Sequence, residues 1–179
     1  MKRRLPLTLI TGLLLTSALA AMPAQAQGSL NPGEELAKIA TPAQKKKLDS
    51  LKVSLDEKIT ARLGAISASI TQKLYALAMS ETYQPQFAEA EKLPEPEQGQ
   101  KKKELWTKVA EELRPSSEKE LATVLRSLIM GYLTDVEKLM TAAQKPRFQK
   151  IKAKIMASLD KEIPMATRAM YDSFVPGNQ

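Results

Sequence analysis

From Leu48 to Leu77 the chain carries Leu48, Leu51, Leu55, Ile59, Leu63, Ile66, Ile70, Leu74 and Leu77, each three or four residues after the last. That spacing is the period of one helix face, and it continues without interruption. Lys45, Lys46, Lys47, Asp49, Glu57, Lys58 and Arg62 largely avoid the stripe. The pattern predicts a helix from Pro42 to about Met79. Its start is marked by Thr41-Pro42-Ala43-Gln44: a hydroxyl to cap, proline at the first helical position, and a glutamine able to reach back. A helix of this length cannot bury such a stripe alone, so partner helices in the chain, coiled-coil pairing or a second subunit are required. Gly64 interrupts the middle and predicts a close helix crossing or a bend.

The rest of the chain is also helical in pattern. A helical turn is expected over Glu34 to Ile39. Pro85, Pro94, Pro96 and Gly99 punctuate residues 84–100, with a short turn over Phe87 to Leu93 between them. A helix from Gln100 to Leu113 follows, with Leu105, Trp106, Val109 and Leu113 on one side, and Arg114-Pro115 is expected to end or bend it. Ser117-Glu118-Lys119-Glu120 reads as a second capping box leading into a wide apolar face from Leu121 to Leu139. The last main helix carries Phe148, Ile151, Ile155, Leu159 and Ile163. Pro164 is expected to limit it before a short terminal helix over Met165 to Phe174. No stretch keeps two-residue alternation between turn signals, so strands are not expected. The fold class is all-α: an elongated helical bundle or an assembly of helical hairpins, a curved dimer being one form.

The first 26 residues have the order of a secretory signal. Met1-Lys2-Arg3-Arg4 is basic, Leu5 to Met22 is uncharged and mostly apolar, and Ala24-Gln25-Ala26 offers small residues to a signal peptidase. Cleavage after Ala26 is expected, leaving Gln27 to Gln179 as a single all-helical domain. Lys2, Arg3 and Arg4 leave with the signal, so the net charge falls from +7 to +4. Export makes the periplasm the expected location, with secretion as the alternative.

Cysteine and histidine are both absent. Thiol redox chemistry, disulfides, thiolate metal sites, the usual catalytic triads and the commonest metal ligand are therefore excluded. The paired carboxylates Glu111-Glu112, Glu118/Glu120 and Asp160/Glu162 read as solvated helix faces rather than the converging pair a glycosidase needs. Met79, Met130, Met140, Met156, Met165 and Met170 lack the close spacing of a copper(I) site and read as core filler. No P-loop pattern is present. No catalytic, cofactor-binding or metal-binding residue is predicted, no cofactor is implied, and a non-enzymatic protein is expected. Few aromatics and no binding module argue against nucleic acid.

Two segments match at an offset of one hundred. Thr41, Ala43, Gln44 and Lys45 correspond to Thr141, Ala143, Gln144 and Lys145. Leu48, Leu51, Lys52, Leu55, Ile59 and Leu63 correspond to Phe148, Ile151, Lys152, Ile155, Leu159 and Ile163. Either two amphipathic helices share a common cap, or one pattern is used twice within a fold. Pro146 removes a donor inside the second start, which predicts that Thr141–Lys145 forms a turn ahead of the helix. Ile39-Ala40-Thr41-Pro42-Ala43-Gln44 and Leu139-Met140-Thr141-Ala142-Ala143-Gln144 resemble the twin LTxxQ signatures of the periplasmic Spy/CpxP-like proteins. In that family leucine directly precedes the threonine; here Ala40 and Met140 do. The resemblance implies a small exported helical protein, a curved homodimer, ATP-independent chaperone activity in envelope stress, and motif residues that hold helix starts.

Two lysine-rich faces border apolar residues. Lys45, Lys46, Lys47 and Lys52 surround Leu48 and Leu51; Lys145, Arg147, Lys150, Lys152 and Lys154 surround Phe148, Ile151 and Ile155. Such faces can attract unfolded exported proteins, contact an acidic membrane surface, or simply cover the margin of a core with lysine stems. Lys101-Lys102-Lys103 opens a helix, where a basic run is unfavourable, and reads as a solvated loop edge. The expected function is a client-binding chaperone or envelope-stress protein. The alternative is a structural or adaptor subunit with one dedicated partner in a membrane-associated or secreted assembly.

Overall fold

The structure is a computed structural model that describes residues 32–176. The expected signal peptide, residues 1–26, lies outside the described residues. Among the described residues five helices follow in order: α1 Pro32–Ile39, α2 Pro42–Ala78, α3 Gln84–Ala90, α4 Glu97–Leu139 and α5 Lys145–Phe174. Among the described residues there is no strand. The all-α fold is as the periodicity predicts.

Contacts group the chain into two compact units. The first gathers the described residues up to Arg62 with Val124–Pro164, and the second gathers Leu63–Thr123 with the described residues from Met165 on. In the first unit, Leu36, Leu133, Val136, Met140, Phe148 and Ile151 form a buried cluster, with Leu48, Leu51, Ile129 and Ile155 packed against it. In the second unit, Ile70, Leu74, Val109, Leu121 and Tyr171 have no exposed surface. Each such large apolar side chain contributes about 1.5–3 kcal/mol on burial. The stripe of α2 is thus covered inside the chain itself: Leu55 and Ile59 are buried in the first unit, Leu63, Ile66, Ile70 and Leu74 in the second.

Several expectations are corrected. Of the end or bend expected at Arg114-Pro115, the end is overturned: α4 begins at Glu97 rather than Gln100 and runs through Pro115 to Leu139. Pro164 does not limit the last helix: α5 continues through it to Phe174. The reason is that burial continues across each proline. Leu105, Val109, Leu113, Ser117, Leu121 and Leu125 step by four across Pro115, and all but the half-buried Leu113 are buried. Leu159, Ile163, Thr167, Met170 and Tyr171 carry the same face across Pro164. A proline in a helix interior costs about 3 kcal/mol, and packing of an uninterrupted face offsets that. Ser117 is consequently no cap. It occupies a core position, with an Oγ that is buried and has no hydrogen-bond partner.

Gly64 does not mark a crossing, for a Cβ there would meet nothing within 4 Å. The short turn expected over Phe87 to Leu93 is α3, three residues earlier, with Pro85 in its first turn. Lys101, Lys102 and Lys103 lie one turn inside α4, behind Glu97 in the first turn. Lys101 pairs with Glu104 at 3.2 Å and Lys102 with Glu91 at 3.3 Å.

Candidate functional site

The twin motifs meet. Upstream of each, a helix ends: α1 at Ile39 and α4 at Leu139. In the first copy, the Thr41 N–H donates to Gln44 Oε1 (2.8 Å), and the Gln44 N–H donates to Thr41 Oγ1 (3.3 Å). This is a complete capping box, as the residues predict. In the second, the Thr141 N–H donates to Gln144 Oε1 (2.9 Å), while the Gln144 N–H turns to the Thr141 carbonyl (3.0 Å). Ala142–Gln144 is a turn and α5 begins at Lys145, so the second start is shifted as Pro146 predicts.

The remaining side of each amide crosses to the other copy. Gln44 Nε2 donates to the Leu139 carbonyl (2.6 Å) and to Gln144 Oε1 (2.9 Å). Gln144 Nε2 donates to the Ile39 carbonyl (2.6 Å) and to Gln44 Oε1 (3.0 Å). Each glutamine therefore caps its own helix start, receives the end of the opposite helix, and pairs with its counterpart. Both donors and both acceptor directions of each amide are used. The repeat at one hundred residues is a quasi-two-fold arrangement within the first unit, and the role of these residues is structural. Sequence reading found the caps but missed the pairing; the equal offset of the two motifs was its only signal.

The two basic faces differ. Lys152 donates to Glu137 at 3.1 Å and Lys154 to Glu35 at 3.2 Å, so these two serve the fold. Lys45, Lys46, Lys47, Lys145, Arg147 and Lys150 are exposed, and none forms an ion pair with a described residue.

In the second unit an aromatic group lies at the surface. The Trp106 ring, half-buried on α4, meets Tyr75 of α2 edge-on at 5.2 Å between centroids and Phe87 of α3 at 5.3 Å. Such contacts contribute about 0.5–1.5 kcal/mol beyond burial. Tyr75 nevertheless keeps 49% of its surface exposed, and Met79, in the turn that directly follows α2, keeps 60%. Tyr75 stood outside the predicted stripe, because helical periodicity marks the core face and not an apolar residue on the outer one.

The same unit holds a buried node. Tyr171, with no exposed surface, donates its hydroxyl to the Ala110 carbonyl at 2.6 Å. Arg114 stands 5.1 Å from the Tyr171 ring centroid and reaches Asp172 at 2.8 Å and Glu118 at 3.3 Å. Burial pushes the Tyr171 phenol up to about 12, against the pull of the Arg114 cation. Burial opposes the charge on Arg114, but hydrogen bonds and attraction from Asp172 and Glu118 outweigh it and raise its pKa. Tyr83 donates to Glu112 at 2.8 Å, and that bond, with burial and the carboxylate charge, raises its phenol as well.

The carboxylate pairs are held by separate partners. Glu112 takes Tyr83, Glu118 takes Arg114, Glu120 takes Lys73, Asp160 takes Arg126 and Glu162 takes Ser158. Of the methionines, Met140 and Met170 are buried, Met156 packs on the first-unit core, and Met79, Met130 and Met165 are exposed. Among the described residues no group of three or more acidic residues could hold a metal ion.

Fold and geometry define the chain as an all-helical protein built on a doubled helix-end, TxxQ turn and helix-start pattern. No protein-family model, curated protein or solved structure matches it.

Proposed function

We propose that this chain is an exported, non-enzymatic and ATP-independent chaperone of the bacterial envelope type, with the Spy/CpxP-like proteins as its relatives. The observation that carries this reading is the exposed apolar surface of Tyr75, whose ring meets Trp106, and of Met79, whose N–H donates to the Tyr75 carbonyl. Aromatic and thioether side chains adapt to many apolar sequences, because neither needs a fixed hydrogen-bond geometry. Exposed lysines speed encounter, and apolar contact then holds the client reversibly. The order of residues 1–26 supports export, to the periplasm on this reading, with secretion as the alternative.

The test is suppression of aggregation of a chemically unfolded client by the purified protein, without nucleotide, at two salt concentrations. Suppression near equal molar ratio is the expected outcome. Failure at several-fold excess across unrelated clients would overturn the proposal. Stoichiometric co-purification of one protein alongside that failure would favour an adaptor subunit instead.

A further inference from the structure

The Gln44–Gln144 pair does more than align two helix starts. Its amides, 2.9 and 3.0 Å apart, bring together the chain segments that carry Lys45, Lys46 and Lys47 and Lys145, Arg147 and Lys150. All six follow one of the paired glutamines within six residues, roughly 9 Å of helix at ~1.5 Å per residue. All six are exposed, and none is in an ion pair with a described residue. Asp49 is the single acidic residue in 41–51 and 141–151. The first turns of α2 and α5 contain no acidic residue at all. A helix N-terminus is where cations are least favourable, and these also repel one another. The fold gains nothing from this placement, whereas Lys152 and Lys154 close by are each neutralised by a carboxylate.

We propose that this end of the first unit docks on an anionic, phosphate-bearing lipid surface. Five of the six cations are lysines, which are mobile point charges rather than the fixed fork that arginine offers a carboxylate. Neither segment displays an exposed large apolar residue, since Leu48 and Leu51 are half-buried and Phe148 and Ile151 are buried. Protein interfaces are anchored by tryptophan, tyrosine or arginine seated in pockets. A cluster of lysines without such anchors fits the diffuse field of a charged membrane, to which each cation adds independently. No described helix is long and apolar enough to cross a membrane. The inference rests on the first unit alone and does not depend on chaperone activity.

The experiment is co-sedimentation of the protein, purified after export, with vesicles rich in phosphatidylglycerol and with phosphatidylcholine vesicles. Binding to the first and not the second is expected, weakening as salt is raised. Replacing all six cations by glutamine (Lys45→Gln, Lys46→Gln, Lys47→Gln, Lys145→Gln, Arg147→Gln and Lys150→Gln) should lower the affinity at least about tenfold. An equal loss of charge elsewhere, at the exposed Arg62, Lys103, Lys108, Lys119, Lys161 and Arg168, should lower it far less. If the sixfold variant does not fold, the two triple variants are read instead, each expected to lose about threefold or more. Equal binding to both vesicles, or equal loss in the two sixfold variants, would overturn the proposal. So would tighter binding to polyglutamate than to the phosphatidylglycerol vesicles at equal anionic charge and ionic strength, which would assign the surface to an acidic protein segment. Displacement by inorganic phosphate beyond that by sodium chloride at the same ionic strength would assign it to a small anion and overturn the lipid assignment equally.

Discussion

Gln44 and Gln144, one hundred residues apart, each donate to the other's side-chain oxygen, at 2.9 and 3.0 Å. Each also donates to the last carbonyl of the helix that precedes its partner, at 2.6 Å. Replacing Gln44 by alanine removes its cap on Thr41 and leaves Gln144 and the Leu139 carbonyl short of partners. At about 0.5–1.5 kcal/mol per hydrogen bond, and with water able to reach the half-buried site, a loss of about 2–3 kcal/mol is expected. The Gln44→Ala and Gln144→Ala double variant should lose less than the sum of the singles, by about 1 kcal/mol or more, because the shared bonds are lost only once. Urea unfolding of the four proteins measures this, and strict additivity would mean that the two amides act separately.

Tyr171 predicts alkaline sensitivity. Its phenol is held near 12 in the folded chain, against about 10 when unfolded. Between those values the unfolded state has released the proton and the native state has not, so stability falls as pH rises through this window. Below pH 10 the contribution is complete; by pH 12 up to about 3 kcal/mol is gone. Tyr171→Phe should cost about 1 kcal/mol at neutral pH through the bond to Ala110. It should also flatten the decline above pH 10. Melting curves across that range give the comparison, with Tyr83 and Tyr132 supplying the residual slope because their phenols are raised as well.

Ser117 predicts a gain. Its hydroxyl is buried without a partner, inside a helix and on the core face. Alanine removes the unsatisfied group and has the higher helix propensity. Ser117→Ala should therefore raise stability by about 0.5–1 kcal/mol, read as a higher urea midpoint at unchanged slope. A lower midpoint would mean that the hydroxyl serves the core after all.

Tyr75 and Met79 separate function from folding. Both are largely exposed, so Tyr75→Ser with Met79→Gln should change stability by no more than about 1 kcal/mol. If clients are held at this surface, the same pair should markedly raise the amount of protein needed to suppress aggregation. Undiminished suppression would move the client contact elsewhere.

The stripe of α2 and the cap at Thr41 were legible because both are local: one repeats every turn, and the other closes within four residues. The prolines misled for an equally physical reason. Pro115 and Pro164 carry a local penalty that any reading of neighbours registers, while the compensation comes from buried side chains that continue across each break, from Leu105 to Leu125 and from Leu159 to Tyr171. That run of apolar positions was present in the sequence and outweighs the local signal. The meeting of Trp106, Phe87 and Tyr75 was not legible at all, since three helices supply one ring each and no spacing links them. The glutamine pair falls between these cases: its halves were visible as motifs, and only the equal offset hinted that they touch.

The doubled motif also orders events in time. Thr41 and Gln44 can close their box as soon as the first turn of α2 forms, within a local search of a few residues. The outer side of the same amide waits for a segment one hundred residues downstream, and that search closes one of the longest loops in the chain. The first unit thus has a fast contact and a slow contact seated on one side chain. Losing the slow one leaves the helix start intact and removes the closure that holds the two halves of the repeat in register, so it should show chiefly as faster unfolding rather than slower helix formation.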